Sequence, residues 1–232
     1  MEKIPKIIHQ IWIGPNKNPT VWTNTWSIDY INTFKDFEYK LWNNNNINDI
    51  LNKYPLCKII FNMEKEYCGK ADILRYLILH EYGGIYIDAD SVWLNNKNLN
   101  NLIEKTNDTG IFCGKEPTSE YIANGVIGCT KNNKIMLKLI NNLENYIRYY
   151  DRIKPRQYKR KRAILGCSKL TGPRFFSLIM IPEKITIFPS NYFYPISWFG
   201  ITEIDKHKKI EISQESYMFQ YGYTTNKLGN II

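Results

Sequence analysis

Apolar positions along this chain of 232 residues follow two rhythms, and their alternation predicts the elements. The clearest block runs from Ala71 to Leu94. Ile73, Leu74, Leu77, Ile78 and Tyr82 recur at helical spacing with no Pro or Gly between them, which predicts a helix over 71–82. Gly83 and Gly84 follow, and glycine tolerates the left-handed conformation that closes many helices. Ile85, Tyr86 and Ile87 then form an unbroken apolar run, short enough for a buried strand, whose exit carries Asp88-Ala89-Asp90. In this reading Asp72 sits in the first helical turn, where the dipole favours a carboxylate. Asp72 and Arg75, three residues apart, share one helix face.

The rest of the chain reads in the same way. Ile7 to Ile13 is a buried strand closed by Gly14-Pro15, with His9 a hydrogen-bonded core residue. Pro19 to Asn32 has helical spacing in Val21, Trp22 and Trp26, and Phe37 to Trp42 alternates as a second strand, EYKLW. Asn43 to Asn46 is a solvated loop, and Ile47 to Tyr54 a short helix stopped by Pro55. Gly110 to Gly114 is a further strand; Tyr121 to Thr130 is β-like around Asn124-Gly125, a pair equally suited to a turn. Lys134 to Tyr146 is an amphipathic helix, a second helix follows Thr171-Gly172-Pro173, and Ile185 to Phe188 is a strand. An aromatic loop spans Tyr192 to Trp198, and the tail from Ser213 to Asn226 is expected to return to the active site. Strands alternating with helices predict an α/β fold, a mostly parallel sheet flanked by helices, with residues 1–232 as a single domain.

Asp88 and Asp90 carry the candidate chemistry. Two residues apart on extended chain, both carboxylates point the same way. A polar turn after a buried strand accounts for them, but it does not need two neighbouring acids. A divalent cation held at the edge of the sheet would relieve their repulsion.

At these residues the sequence resembles the DXD-containing glycosyltransferases, whose members include fungal Golgi mannosyltransferases and the large glucosylating bacterial toxins. Further segments fit in the family's order: IPKIIHQIWIG at Ile4 to Gly14, ANGVIG at Ala123 to Gly128 and LTGP at Leu170 to Pro173. The resemblance implies a GT-A-like fold and transfer of a hexose from a nucleotide diphosphate sugar, a UDP-sugar by the W-I-G segment, with retained anomeric configuration. It assigns Asp90 to the metal, Asp88 to the metal and the donor's ribose, and Asp72 and Arg75 to the donor's sugar and phosphate. Ile11 and Trp12 are assigned to the nucleotide, with Trp12 stacking on the base, and Asn124 to the nucleotide sugar. Carboxylates, diphosphate oxygens and water suit Mn2+ or Mg2+. Where many members have a His-rich tail that reaches the metal, this chain has Phe219-Gln220-Tyr221-Gly222-Tyr223, so a looser metal site is expected.

Composition narrows the alternatives. Apolar residues make up 44% and aromatics 14%, which excludes a disordered chain. The net charge of +9, from 31 basic and 22 acidic residues, favours an anionic partner. The most basic segment, 148–162, reads as a solvated, mobile insertion or as an electropositive lip for an anionic acceptor or a membrane surface. Five dispersed cysteines with no C-x-x-C indicate neither zinc nor a disulfide framework, so a cytoplasmic protein is expected. No apolar run approaches the ~20 residues of a membrane span, and neither an anchor nor a signal peptide is expected. The acceptor (glycan, protein or lipid) is open. Two rival classes remain. A haloacid-dehalogenase-like phosphatase also has a strand ending in D-x-D, but needs a later acidic metal site for which only Glu203 and Asp205 are available. A basic nucleic-acid-binding protein fits the charge but lacks a recognition motif.

Overall fold

The structure, a computed structural model, describes residues 2–94, 96–117, 119–150, 166, 168–196 and 212–222, with backbone only at 146–150. The basic segment beyond Tyr150, Cys167, Glu203, Asp205, Trp198 and the tail after Gly222 lie outside the described residues.

In chain order the elements are β1 (Ile7–Ile11), α1 (Thr20–Asn24), a π-helical stretch (Thr25–Tyr30), α2 (Ile31–Thr33) and β2 (Glu38–Trp42). Then come α3 (Ile47–Lys53), α4 (Pro55–Met63), α5 (Tyr67–Tyr82), β3 (Gly84–Ile87), β4 (Ser91–Trp93), α6 (Asn100–Glu104), β5 (Ile111–Lys115) and β6 (Ile122–Cys129). The last are α7 (Lys134–Tyr150), α8 (Pro173–Met180), β7 (Thr186–Phe188), α9 (Ser190–Phe193) and β8 (Met218–Gln220).

Six strands form the central sheet in the order β2-β1-β3-β6-β5-β7. β6 runs against both its neighbours, and the other pairs are parallel, so the C-terminal ends of β1, β3 and β5 share one edge. Ligands of open α/β sheets bind at that edge. On one face α5 supplies Ile73, Leu74, Tyr76, Leu77, Ile78 and Leu79, all fully buried, with Ile50, Ile60, Leu139 and Phe176 from the surrounding helices. On the other face Trp26, Tyr30, Leu99, Phe193 and Met218 cover Ile8, Ile85, Ile87 and Phe112. The sheet is thus covered on both sides, as parallel strands require.

Three local expectations change. Helix α5 begins at Tyr67, so Asp72 lies in its second turn, beyond the reach of the N-terminal dipole; Gly69 inside the helix hid the earlier start. Asn124-Gly125 lies within β6 rather than in a turn, with the Gly125 carbonyl accepting from the Asp88 amide at 2.9 Å, although neither residue is in register with β3 or β5. Asp88 to Asp90 is a turn linking β3 to β4, closed by the Ser91 amide on the Asp88 carbonyl at 3.2 Å, so the extended-chain argument for parallel carboxylates does not apply.

Gly83 does end α5, with φ 65°. The buried His9 ring locks this corner: its Nε2 bonds the Gly83 carbonyl at 2.9 Å, and its Nδ1 accepts from Trp42 Nε1 at 3.2 Å. The Nε2 therefore carries the proton. Burial pushes the imidazole pKa down to about 4, which fits a structural, neutral histidine.

Candidate active site

The centre of the site is a buried ion-pair cluster. Arg75 and Asp72, both about 5% exposed, come from α5 one turn apart. Arg75 Nη2 lies 3.2 Å from Asp72 Oδ1 and 3.3 Å from Asp88 Oδ1, so one guanidinium holds two acids from different elements. Its Nη1 donates to the Asn124 carbonyl, and its Cζ lies 4.4 Å from the centre of the Tyr86 ring. Arginine suits this place because its planar fork serves several acceptors at once.

Asp72 is fully engaged. Its Oδ1 accepts from Asn124 Nδ2 at 2.9 Å and its Oδ2 from Thr171 Oγ1 at 3.0 Å. Asn124 Nδ2 also reaches the Tyr76 hydroxyl at 2.9 Å, which donates to the Thr171 carbonyl at 2.7 Å. Burial pushes the Asp72 carboxyl up to about 6, against the opposing pull of Arg75 and these hydrogen bonds.

Asp88 is held from every side. Its Oδ1 accepts from the Tyr86 hydroxyl and its Oδ2 from Gln220 Nε2, each at 2.7 Å. Its amide donates to the Gly125 carbonyl at 2.9 Å, and its carbonyl accepts from Ser91 Oγ at 2.7 Å and Gln10 Nε2 at 3.2 Å. Gln10 is itself fixed by Tyr39 at 2.8 Å. Asp90 is half-buried, and its carbonyl accepts from the Tyr221 amide at 2.9 Å.

The tail does return. Strand β8 pairs antiparallel with β4, Gln220 opposite Ser91, and Tyr221 stacks on Trp22 at 5.1 Å. This carries Gln220 to Asp88 across 132 residues of sequence.

Opposite Asp88 the β5–β6 ladder is irregular. Between the pairs Cys113–Ile127 and Lys115–Ile122, β5 advances two residues and β6 five. Such bulges re-aim side chains beside active sites. Here the bulge turns Asn124 to Asp72 and leaves Gly125 against the acid. A Cβ on Gly125 would stand 2.7 Å from Asp88 Oδ2, 3.0 Å from Gln220 Oε1 and 3.1 Å from the Tyr194 hydroxyl. Gln220 Oε1 is buried and has no hydrogen-bond partner among the described residues. Asp88 Oδ2 and this amide oxygen therefore converge on a space that only glycine leaves open, and oxygen donors of this kind suit a hard divalent cation. Among the described residues no three His, Cys, Asp or Glu side chains come together.

Ile11, at the end of β1, is buried in the core, and Trp12 follows it, half-buried, with its Nε1 on the Asn16 carbonyl at 2.9 Å. Trp12 lines a cleft of about 220 Å³ with Gly14, Asn16 and Asn43 to Asn45, one strand over from Asp88. Asp72, Arg75, Asp88 and Asn124 thus meet in one cluster, with Asp90 at its rim and Trp12 at the same edge. Sequence reading missed Tyr86, Gln10, Tyr39 and Tyr76, whose signal is tertiary; Thr171 stood in the LTGP segment, without a role.

Comparison with known proteins now bears on this edge. Residues 19–109, which contain Asp72, Arg75 and both DXD acids, match the glycosyltransferase sugar-binding region containing the DXD motif. Over this stretch the chain carries the sugar-binding region of the DXD-containing glycosyltransferases. Over 183 residues, 76% of this chain, it is 30% identical to inositol phosphoceramide mannosyltransferase 3 of Schizosaccharomyces pombe, spanning 44% of that protein. The chain thus covers less than half the length of this curated relative. The fold is that of the PaToxG glycosyltransferase, with TM-score 0.57 and 24% identity over 79% of this chain and 71% of that one. It also matches the UDP-bound glycosyltransferase domain of the YGT toxin, with TM-score 0.53 and 10% identity over 82% and 80% of the two chains. The GT-A-like α/β architecture expected from the sequence is therefore established.

Proposed function

We propose that this glycosyltransferase moves a hexose from a UDP-sugar to a hydroxyl-bearing acceptor, with a divalent cation, Mn2+ or Mg2+, and with retention of configuration. The observation that carries the reading is the Asp72–Arg75–Asp88 cluster at the sheet edge, opening at Gly125 beside the Gln220 oxygen, which has no partner among the described residues. Asp88, Asp90 and Gln220 would hold the cation, whose chemistry is to neutralise the diphosphate as it leaves. A set with two acids and a neutral amide leaves much of the coordination to the donor's own diphosphate.

Asp72 and Asn124 bind hydroxyls of the transferred sugar, and Arg75 fixes both acids while its charge faces the donor phosphates. Both oxygens of Asp72 are already engaged, so it is poorly placed as a covalent nucleophile; this favours front-face displacement. The name of the mannosyltransferase relative suggests an anionic inositol lipid as acceptor, in keeping with the net charge of +9. No helix among the described residues is long and apolar enough to cross a membrane. The buried free thiols of Cys57, Cys113 and Cys129 accord with a cytoplasmic setting.

The reading is tested by titrating UDP and GDP with Mn2+ and following indole fluorescence, then assaying UDP-glucose hydrolysis. UDP should bind more tightly and quench. Trp12→Ala should weaken UDP by about 5- to 150-fold, as loss of one base-stacking contact of ~1–3 kcal/mol requires. Tighter binding of GDP would reverse the choice of nucleotide, and binding of neither would end the donor reading.

Asp72 gives a second test. A carboxyl whose pKa is raised on folding contributes stability below its unfolded pKa and loses it as pH rises through the folded value, here about 6. Ionised Asp72 is thus a burden at pH 7.5. Asp72→Asn should keep or raise Tm at pH 7.5, with the difference from wild type shrinking by pH 5, while transfer falls at least about 100-fold, the usual weight of a lost transition-state contact. Unimpaired transfer would remove Asp72 from the sugar.

A further inference from the structure

The donor is a linear molecule, and the proposed site lays it across consecutive strands. Trp12 takes the base at the end of β1, Asp88 the diphosphate at the end of β3, and Asn124 the sugar on β6. Neighbouring strands lie ~4.8 Å apart, so β1 to β6 spans about 10 Å and the next strand end lies just beyond the sugar. That strand is β5, and the residue after it is Glu116.

Glu116 is a buried acid, 7% exposed. Its backbone is fixed by the Tyr121 carbonyl at 3.1 Å, which closes the bulge from which Asn124 projects. Its carboxylate makes no hydrogen bond or ion pair among the described residues. Tyr194 bridges the two strands: its hydroxyl borders Gly125 on β6 and its ring packs on Gly114 of β5, two residues before Glu116. From other elements the neighbouring titratable and charged groups are Tyr194 and Tyr121, the latter with Arg174 over its ring at 5.1 Å. None offsets burial, which pushes the Glu116 carboxyl up to about 7.

We propose that Glu116 binds the attacking hydroxyl of the acceptor, accepting its hydrogen bond and aiming its oxygen at the sugar carbon held by Asp72 and Asn124. The inference rests on the transferase reading above. In transfer the acceptor oxygen bonds the sugar carbon, the bond from that carbon to the diphosphate breaks with its electron pair, and the acceptor proton passes along its hydrogen bond to the Glu116 carboxylate and from there to the departing phosphate oxygen. Glu116 thus orients the hydroxyl and relays its proton. Its carboxylate form is the stronger acceptor, so orientation improves as pH rises through about 7.

Water replaces the acceptor in UDP-glucose hydrolysis, which supplies the probe. With Mn2+ and UDP-glucose, Glu116→Gln should lower kcat by about 10-fold or more and flatten the rise in kcat between pH 6 and 8. UDP affinity by calorimetry should stay within about twofold, because the donor's diphosphate and base lie elsewhere. Glu116→Asp, which keeps the charge on a shorter arm, should restore the pH dependence with part of the rate. A Glu116→Gln protein with wild-type kcat and wild-type pH profile would overturn the inference, as would parallel loss of kcat and UDP affinity, the mark of a structural role. Wild-type protein that binds neither UDP nor GDP would instead overturn the donor reading.

Discussion

Arg75→Met should lower the unfolding free energy by about 3–5 kcal/mol, the cost of leaving buried charges without their partner. For a chain of this size that is a fall in Tm of about 6–20 °C. The magnitude follows from position. Arg75 is 5% exposed and, among the described residues, is the one cation placed between Asp72 and Asp88, which it holds at 3.2 and 3.3 Å. Methionine fills a similar volume and supplies neither charge nor donor, so the two acids would face each other and the Asn124 carbonyl would lose its guanidinium. Adding Asp72→Asn should recover a large part of the loss, since the remaining acid has Tyr86 and Gln220 to bind it. Thermal and urea unfolding of the single and double variants measure this directly. Strictly additive losses would mean that Arg75 and Asp72 are not coupled.

The largest effect on activity is expected at the DXD turn. Asp90→Asn should reduce UDP-sugar turnover by about a thousandfold or more, the scale of removing a preorganised electrostatic partner. Because Asp90 is half-buried, its Tm should change by no more than about 2 °C. Asp88→Asn should lose as much activity and also some stability, for its carboxylate ties Arg75, Tyr86 and Gln220 together. Calorimetric titration of Mn2+ with and without UDP separates the roles. In wild type UDP should tighten Mn2+ markedly, because linkage is reciprocal; in Asp90→Asn that enhancement should vanish. Full turnover of both variants in chelator would exclude the cation.

What could be read from sequence was the local part of the site. The run from Ala71 to Asp90 announces helix, glycine stop, strand and acids because each rests on neighbours within a few residues. The start of α5 was hidden, since Gly69 interrupts the pattern that Tyr67 begins. The reversed direction of β6 and its bulge were hidden too, because they arise from pairing with β3 and β5 rather than from the string ANGVIG itself. Asn124 therefore looked as much like a turn as like a ligand. The sequence places Arg75 on one helix face with Asp72, but its second partner, Asp88, lies 13 residues away on another element. Gln220 stood out as the tail residue in place of histidine, but nothing local to it indicates that its amide nitrogen reaches Asp88 while its oxygen is left open.

The pairing of β8 with β4 also sets an order of events during synthesis. Chains emerge N-terminal end first, and domains fold as they appear. All six strands of the central sheet lie before residue 189, so sheet, α5 and the Arg75 cluster can form while Gln220 is still unmade. Closing the loop from Asp88 to Gln220 is entropically slow and comes late. A nascent chain would hold its acids with Arg75 well before it could hold a nucleotide diphosphate, so competence for donor binding waits on the docking of β8, after the central sheet is secure.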